Sequence, residues 1–476
     1  MSLTKSFGEM NFDRAQLGDK RRTKRLVQLV DQMAARPGGT LPQKFRCPAD
    51  LQAFYRLMDC DDVTHKAILN AHREATFERI EQMNAPVLIL HDTTELDYTT
   101  HKSLDDLGQI GCGTRRGYIT HNSLAVDPAN REVLGLVNQE LHCRVLVSKT
   151  ETRAQRNKRK TRESLLWLKG VQSLPDNWNL VDVCDRGADN AEFLRHEVSS
   201  GRRFLIRSSF NRCVLLGHDE SASSESLKLH EHMRTLPAEG TWELAVTSRV
   251  ELRRGRGKEK KKLVTRHARK ANMAVSYCAV QIKPSKGGKK QPTMKVWAIR
   301  VWEIDPPEGQ ERLEWILITN EPVKSFAAAY RVVGWYECRW VIEEYHKGMK
   351  TGCKIEGMQF TSEERLQPAI AVLSVVTLTL LQLRDAARRP DAKTRKANTV
   401  VGNSYVEMLS LWRHKKINRD WTVHEFYYAL ARLGGHQNRK HDHPPGWQVI
   451  WEGWKELLPM ATGYDVAKTK YYNKCS

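Results

Sequence analysis

The stretch Val87-Leu88-Ile89-Leu90-His91-Asp92-Thr93-Thr94 decides the fold class. Four apolar residues in a row, without polar alternation, suit a strand covered on both faces, as at the centre of an α/β sheet. A strand with one wet face would alternate instead. A second run, Leu180-Val181-Asp182-Val183-Cys184, has the same texture and gives way to Asp185-Arg186-Gly187-Ala188-Asp189. In α/β sheets ligands lie beyond the carboxyl ends of the strands, so Asp92 and Asp185 become candidates for chemistry. Each could equally cap the turn that follows it, and Asp182 and Asp189 rival Asp185.

Outward from these two runs the pattern continues. Leu124–Val126 and Val133–Val137 read as further strands, and residues 203–320 read as β-rich, through Phe204–Arg207, Trp242–Val246, Ala274–Cys278, Val296–Arg300 and Trp315–Thr319. Upstream, the first seventy-odd residues read as helices. One carries Leu26, Leu29, Val30 and Met33 on a single face, one opens at Pro48, and one is capped by Thr64. Downstream of Leu366 the pattern is again helical. The expected organisation is a helical segment 1–70, an α/β segment 71–370 with a β-rich insertion at about 210–320, and a helical segment 371–476.

The 476 residues carry a formal charge of +21, which argues for a large polyanionic partner, most simply nucleic acid. Lys20, Arg21, Arg22, Lys24 and Arg25 form a dense basic patch at the first helix. Arg153–Arg162 and Arg253–Lys270 read as basic loops suited to phosphate contacts, although such loops are also ordinary solvated surface. The most apolar run, Ala369–Leu383, is shorter than the roughly 20 apolar residues of a membrane span. It also carries Ser374, Thr377, Thr379 and Gln382, so a buried helix is expected and no membrane partner. The polar start, Met1–Asp13, is unlike a secretion signal, and the ten cysteines show no Cys-x-x-Cys pair. Both features point to a cytoplasmic protein with reduced thiols.

The stretch Tyr336-Glu-Cys-Arg339-Trp-Val-Ile-Glu343-Glu-Tyr-His-Lys347-Gly-Met-Lys350 reads as one helix. At 3.6 residues per turn Tyr336, Arg339, Glu343, Lys347 and Lys350 share an arc of roughly 80°. One carboxylate flanked by cations suits a site where a divalent ion meets a phosphate, whereas Glu344 points elsewhere. Taken alone, the run is equally a salt-bridged surface helix. Joined to Asp92 and Asp185, it makes a set of three carboxylates able to bind two Mg²⁺ ions, with Mn²⁺ able to substitute, for phosphoryl transfer.

The spacing Tyr336-x2-Arg339-x3-Glu343-x6-Lys350 resembles the YREK signature of the insertion-sequence-four family of bacterial DDE transposases. His91–Thr94, Val183–Asp189, Arg339–Lys347, Trp451–Trp454, Leu17–Thr23 and Ala429–Gly435 are also similar to segments of that family. The resemblance implies a ribonuclease-H-like catalytic core with a β-rich insertion before the glutamate. It further implies an N-terminal DNA-end-binding domain and a C-terminal helical dimerisation domain. On it, Asp92, Asp185 and Glu343 match the metal-binding triad, and Tyr336, Arg339 and Lys350 match residues that hold phosphates near the cut end. Lys347 stands beside them, Arg207 matches another DNA-contacting arginine, and Trp315 matches a tryptophan that stacks on a flipped base.

The activity so implied is cut-and-paste transposition by a homodimer on bacterial nucleoid DNA. Transposon ends would be cleaved through a hairpin and joined to target DNA. The rival readings are a structure-specific nuclease that never joins and a DNA-binding inhibitor of transposition. The chain departs from the family at Gly117-Tyr118-Ile119, where paired tryptophans are expected, and in the segment after Pro390.

Overall fold

The computed structural model describes residues 5–472, apart from 46, 149, 177–178, 219–225, 247–248, 255–259, 285–290, 440–441 and 443. The chain is mixed α/β and divides into two compact units, residues 1–166 with 340–476, and residues 167–339. The segments 1–70 and 371–476, separate in the reading by pattern, thus belong to the same unit.

The first unit opens with α1 (Phe7–Phe12), α2 (Lys20–Ala35), α3 (Leu41–Lys44), α4 (Pro48–Met58) and α5 (His65–Glu81). The cap expected at Thr64 is formed, its hydroxyl accepting the Ala67 N–H at 3.1 Å. Leu26, Leu29, Val30 and Met33 are fully buried, as their helical spacing requires. Strands β1 (Val87–Asp97), β2 (Gly108–Gln109), β3 (Arg116–Val126) and β4 (Val133–His142) follow. β3 pairs antiparallel with each of the others, and Asp92 of β1 stands opposite Asn122 of β3. In β1, Val87 to His91 are all buried and the four residues from Asp92 are half-exposed. The strand leaves the core at the aspartate.

Residues 153–162, expected as a loop, begin with a short helix, α6 (Arg153–Lys158), because Thr152 and Gln155 form a reciprocal capping box. Helix α7 (Leu166–Gln172) then leads into the second unit, which holds β5 (Leu180–Cys184), α8 (Ala191–Ser200), β6 (Arg203–Arg207), β7 (Cys213–Leu216), β8 (Leu227–Lys228) and α9 (Leu229–Thr235). Next come β9 (Gly240–Val246), β10 (Arg249–Arg254), β11 (Lys260–Arg266), β12 (Arg269–Ile282), β13 (Met294–Glu303), β14 (Glu314–Thr319) and α10 (Phe326–Glu337). β5 and β6 run parallel, whereas β6–β14–β13–β12–β7–β8 is antiparallel throughout and β9 also joins β12. The basic stretch Arg253–Lys270, read as a loop, instead supplies strand residues to the antiparallel ribbon β10–β11 and to β12, with 255–259 outside the described residues.

The chain returns to the first unit through α11 (Trp340–Lys347), followed by α12 (Glu363–Val376), α13 (Leu378–Arg388), α14 (Asn403–His414), α15 (Val423–Leu433) and α16 (Trp447–Tyr472). α12 packs on α5 and β4. The run from Glu363 to Arg388 is long and apolar enough by composition to cross a membrane, yet 82% of its most apolar window is buried inside the protein. Beyond it, Leu409, Phe426, Leu430 and Leu457 form a core of their own. None of the described cysteines is in a disulfide.

Residues 336–350 are not one α-helix, which corrects the helical arc drawn from the sequence. α10 ends at Glu337, and Cys338 and Arg339 form a turn tightened by i→i−3 bonds, Cys338 N–H to Trp335 and Arg339 N–H to Tyr336, both 3.1 Å. Gly348–Gly352 is a π turn, closed by the Cys353 N–H to Gly348 carbonyl bond of 2.8 Å. Both irregularities break the 3.6-residue track on which the arc depended. The division between the two units falls in the first of them.

Candidate active site

The second unit gathers five of the expected residues. Asp185 follows the fully buried β5 and caps a turn, its Oδ1 accepting the Gly187 N–H at 2.8 Å. Gly187 is obligatory here, since a Cβ would collide with the Trp167 ring. The rivals of Asp185 are engaged elsewhere. Asp182 is fully buried and pairs with Arg202 at 2.9 Å. Asp189, also buried, binds Arg212 and the backbone N–H groups of Ser209 and Phe210. Asp185 itself remains half-exposed.

Around Asp185 stand an aromatic pair and several guanidinium groups. Burial pushes the Tyr336 phenol up from its ordinary value, Arg339 and then Arg207 beside it oppose that shift, and Asp185 adds to it. Trp315, on β14, has its ring 6.2 Å from that of Tyr336. Burial pulls Arg207 down, Tyr336 offsets this, and Arg186 and Arg339 pull it further down. A guanidinium group desolvated by burial and crowded by other cations is stabilised by any anion that arrives beside it.

Arg207 also donates to the Glu314 carbonyl at 3.2 Å and lines a cavity of about 240 Å³ with Arg186, Ser208, His230, Arg234 and Glu314. Ser208 Oγ and His230 Nε2 are 2.9 Å apart. Glu314 sits 2.7 Å from Arg234 and 2.8 Å from Arg300. Arg186, His230 and Arg234 were missed in the sequence. Arg186 directly follows Asp185, and His230 and Arg234 sit four apart on α9, so adjacency and helical spacing were the available signals.

The first unit holds the other two carboxylates. Asp92 Oδ1 accepts the Thr93 N–H at 2.8 Å, and Glu343 is half-exposed on α11, which packs against β1. Glu344, set aside from the sequence, is held by the fully buried Arg384, which also binds Asp385. Lys347 is exposed at the end of α11 and Lys350 half-exposed in the π turn. Among the described residues, no three His, Cys, Asp or Glu side chains stand together closely enough to hold a metal ion.

At the N-terminus, Asp19 caps α2 by accepting the Arg21 N–H at 2.7 Å. The first turns of α2 carry Lys20, Arg21, Arg22, Lys24 and Arg25, against the helix dipole, which favours anions at that end. Arg22 pairs with Asp62 at 2.6 Å and Arg25 with Asp50 at 2.8 Å, whereas Arg21 is exposed. Such surface pairs are weak in water and exchange readily for a phosphate.

Residues 4–63 match a family model described as transposase DNA-binding. The match covers α1 to α4 together with the basic first turns of α2. It supports a transposase, and therefore a DNA-processing protein with DNA as its partner.

Proposed function

We propose that the chain is a cut-and-paste DNA transposase of the DDE type, of the insertion-sequence-four family, with a ribonuclease-H-like catalytic core. It acts as a homodimer on transposon ends in bacterial cytoplasm. The observation that carries this reading is the setting of Asp185, a half-exposed carboxylate among Tyr336, Arg339, Arg207 and Arg186 within one unit. A carboxylate that attracts a cation, ringed by groups that attract an anion, is what phosphoryl transfer on a polyanion requires.

Asp92, Asp185 and Glu343 would hold the divalent ions. The donor chemistry fits Mg²⁺ or Mn²⁺, being carboxylate oxygen alone, while Asp182, Asp189 and Glu344 are occupied by arginines. Two such ions supply activation of the attacking oxygen and relief of charge at phosphorus. Mg²⁺ keeps waters and substrate phosphate in its shell, so a site completed by DNA is compatible with the absence of a three-carboxylate cluster among the described residues. Arg207 and Arg339 hold the phosphate near Asp185, with Tyr336 fixing both. Lys347 and Lys350 add cationic contacts beside Glu343. Trp315, next to Tyr336, offers a ring for an unstacked base. Arg21, Arg22 and Arg25 grip the duplex of the transposon end.

The reaction would begin with water attacking a phosphodiester and expelling a 3′-oxygen. That 3′-OH attacks the opposite strand to form a hairpin, water opens the hairpin, and the 3′-OH then attacks target DNA. Each step is an in-line displacement at phosphorus. The test is incubation of the protein with DNA carrying its own element's ends and Mg²⁺, with products resolved for hairpins and joined ends. Cutting without joining of precut ends would make it a nuclease instead. A second reading is an inhibitor that binds DNA without cutting, which needs only the DNA-binding match at residues 4–63. Metal-dependent nicking in the same assay removes it.

A further inference from the structure

The strand of Asp92 and the helix of Glu343 are joined by a closed circuit of buried polar side chains. Asn122 lies opposite Asp92 in the β1–β3 ladder, so the two side chains leave the same face of the sheet. The Nδ2 of Asn122 is 3.0 Å from Nε2 of His346, on α11. His346 lies three residues beyond Glu343 and therefore shares its helix face. The contact lies where both candidate carboxylates take their bearings.

The circuit continues away from them. Asn122 Oδ1 accepts from Gln139 Nε2 at 2.8 Å, and the same amide donates to Ser374 Oγ at 2.9 Å. Gln139 Oε1 accepts from His65 at 3.0 Å. The Ser374 carbonyl accepts from the Tyr345 hydroxyl at 3.0 Å, which returns the circuit to α11 one residue before His346. Asn122, Gln139, Tyr345, His346 and Ser374 are all buried. The directions are fixed around the ring. Gln139 donates to Asn122, so the Asn122 amide nitrogen faces His346, whose Nε2 must accept. A buried network with every member satisfied admits a single arrangement, since any shift strands a donor or acceptor.

We propose that Asn122 and His346 are positioning residues, which set the helix bearing Glu343 in fixed register with the strand bearing Asp92. This rests on the reading of those carboxylates as metal ligands. The acceptor at Nε2 does the work, and it can be replaced by the carbonyl of glutamine, whose Oε1 reaches the same place, but not by the shorter asparagine.

The test compares the full-length protein with His346→Leu, Asn122→Leu, His346→Gln, His346→Asn and, as reference, Asp92→Ala. Four quantities are measured: Tm, affinity for end DNA, cleavage rate, and Mn²⁺ affinity of the DNA complex by electron paramagnetic resonance. His346→Leu and Asn122→Leu should bind end DNA within about twofold of wild type yet lose about 10- to 100-fold in Mn²⁺ affinity and cleavage. His346→Gln should recover most of that loss and His346→Asn little. Wild-type Mn²⁺ affinity and cleavage in the leucine variants would overturn the proposal, as would glutamine no better than asparagine. If the leucine variants unfold, the glutamine–asparagine pair decides. Loss in Asp92→Ala with no effect at His346 defeats the positioning role alone. A wild-type protein that neither cuts nor binds Mn²⁺, or an Asp92→Ala variant that does both normally, defeats the functional reading itself.

Discussion

Around Asp185 the second unit crowds guanidinium groups, whereas beside Asp92 the first unit links Asn122, Gln139, Ser374, His65 and His346 in one hydrogen-bonded circuit. The cations repel and remain poised for something negative. The polar circuit is complete and asks for nothing from outside. The buried Arg384 of the first unit is likewise already neutralised, lying between Asp385 and Glu344. The surroundings of Asp185 are built to receive an anion, and those of Asp92 to hold a geometry.

The sharpest way to break this contrast is to remove the carboxylates. Asp185→Ala, Asp92→Ala and Glu343→Ala should each lower Mg²⁺-dependent cleavage on the order of 10³-fold or more while end binding by gel shift is kept. A residue whose alanine variant still cleaves fully has no part in the site. Next in size is Arg384→Ala, which strands two carboxylates and should cost about 3 kcal/mol in urea unfolding. An unchanged midpoint would mean that the first unit does not depend on that neutralisation.

Arg207→Ala should slow cleavage by about 10- to 100-fold through loss of a charged phosphate contact, and relieving the arginine crowding should leave thermal stability equal or higher. A large fall in Tm would recast the arginines as structural. Lys44 offers a smaller test within the first unit. Burial pulls its ammonium down to about 8, and its Nζ donates to the Pro37 carbonyl. The unfolded chain keeps that proton up to 10.5, so between pH 8 and 10.5 the unfolded state binds more protons and stability rises with pH. Below pH 8 the cost is constant, and Lys44→Met should flatten the slope in chemical denaturation across that window. The smallest effect is expected for Arg21→Ala, a few-fold in end affinity with the salt slope of binding reduced by about 1.

Much of this contrast was legible in the sequence where burial changes along a single strand. Val87–Leu90 read as a covered strand because no polar residue interrupts it, Leu180–Cys184 did so despite Asp182, which is buried against Arg202, and Asp92 and Asp185 stand where the two strands leave the core. Ala369–Leu383 read as a buried helix because it is short for a membrane span and carries four polar residues, and in the structure the Thr377 hydroxyl bonds within the chain to the Leu373 carbonyl at 2.8 Å. What the sequence hid depends on backbone hydrogen bonding or on pairing at a distance. The turn at Cys338–Arg339 arises from i→i−3 bonds that no residue type announces. The arginine pocket is assembled by β14 lying beside β6, over 100 residues away, with α9 supplied between them. Charge density also misled, since Lys/Arg-rich stretches read as loops proved to be a helix and a ribbon.

The π turn at Gly348–Gly352 has a consequence for how the protein can vary in length. A side chain at Gly352 would collide with Leu380, so the coil is accommodated by absence of bulk on its inner side. A wide coil of this kind contains, in effect, one surplus residue relative to an α-helix. Excising a single residue there would let ordinary winding resume, and Lys350 would swing by ~100° about the axis. A shortened relative could therefore keep its architecture intact while aiming that ammonium at empty solvent.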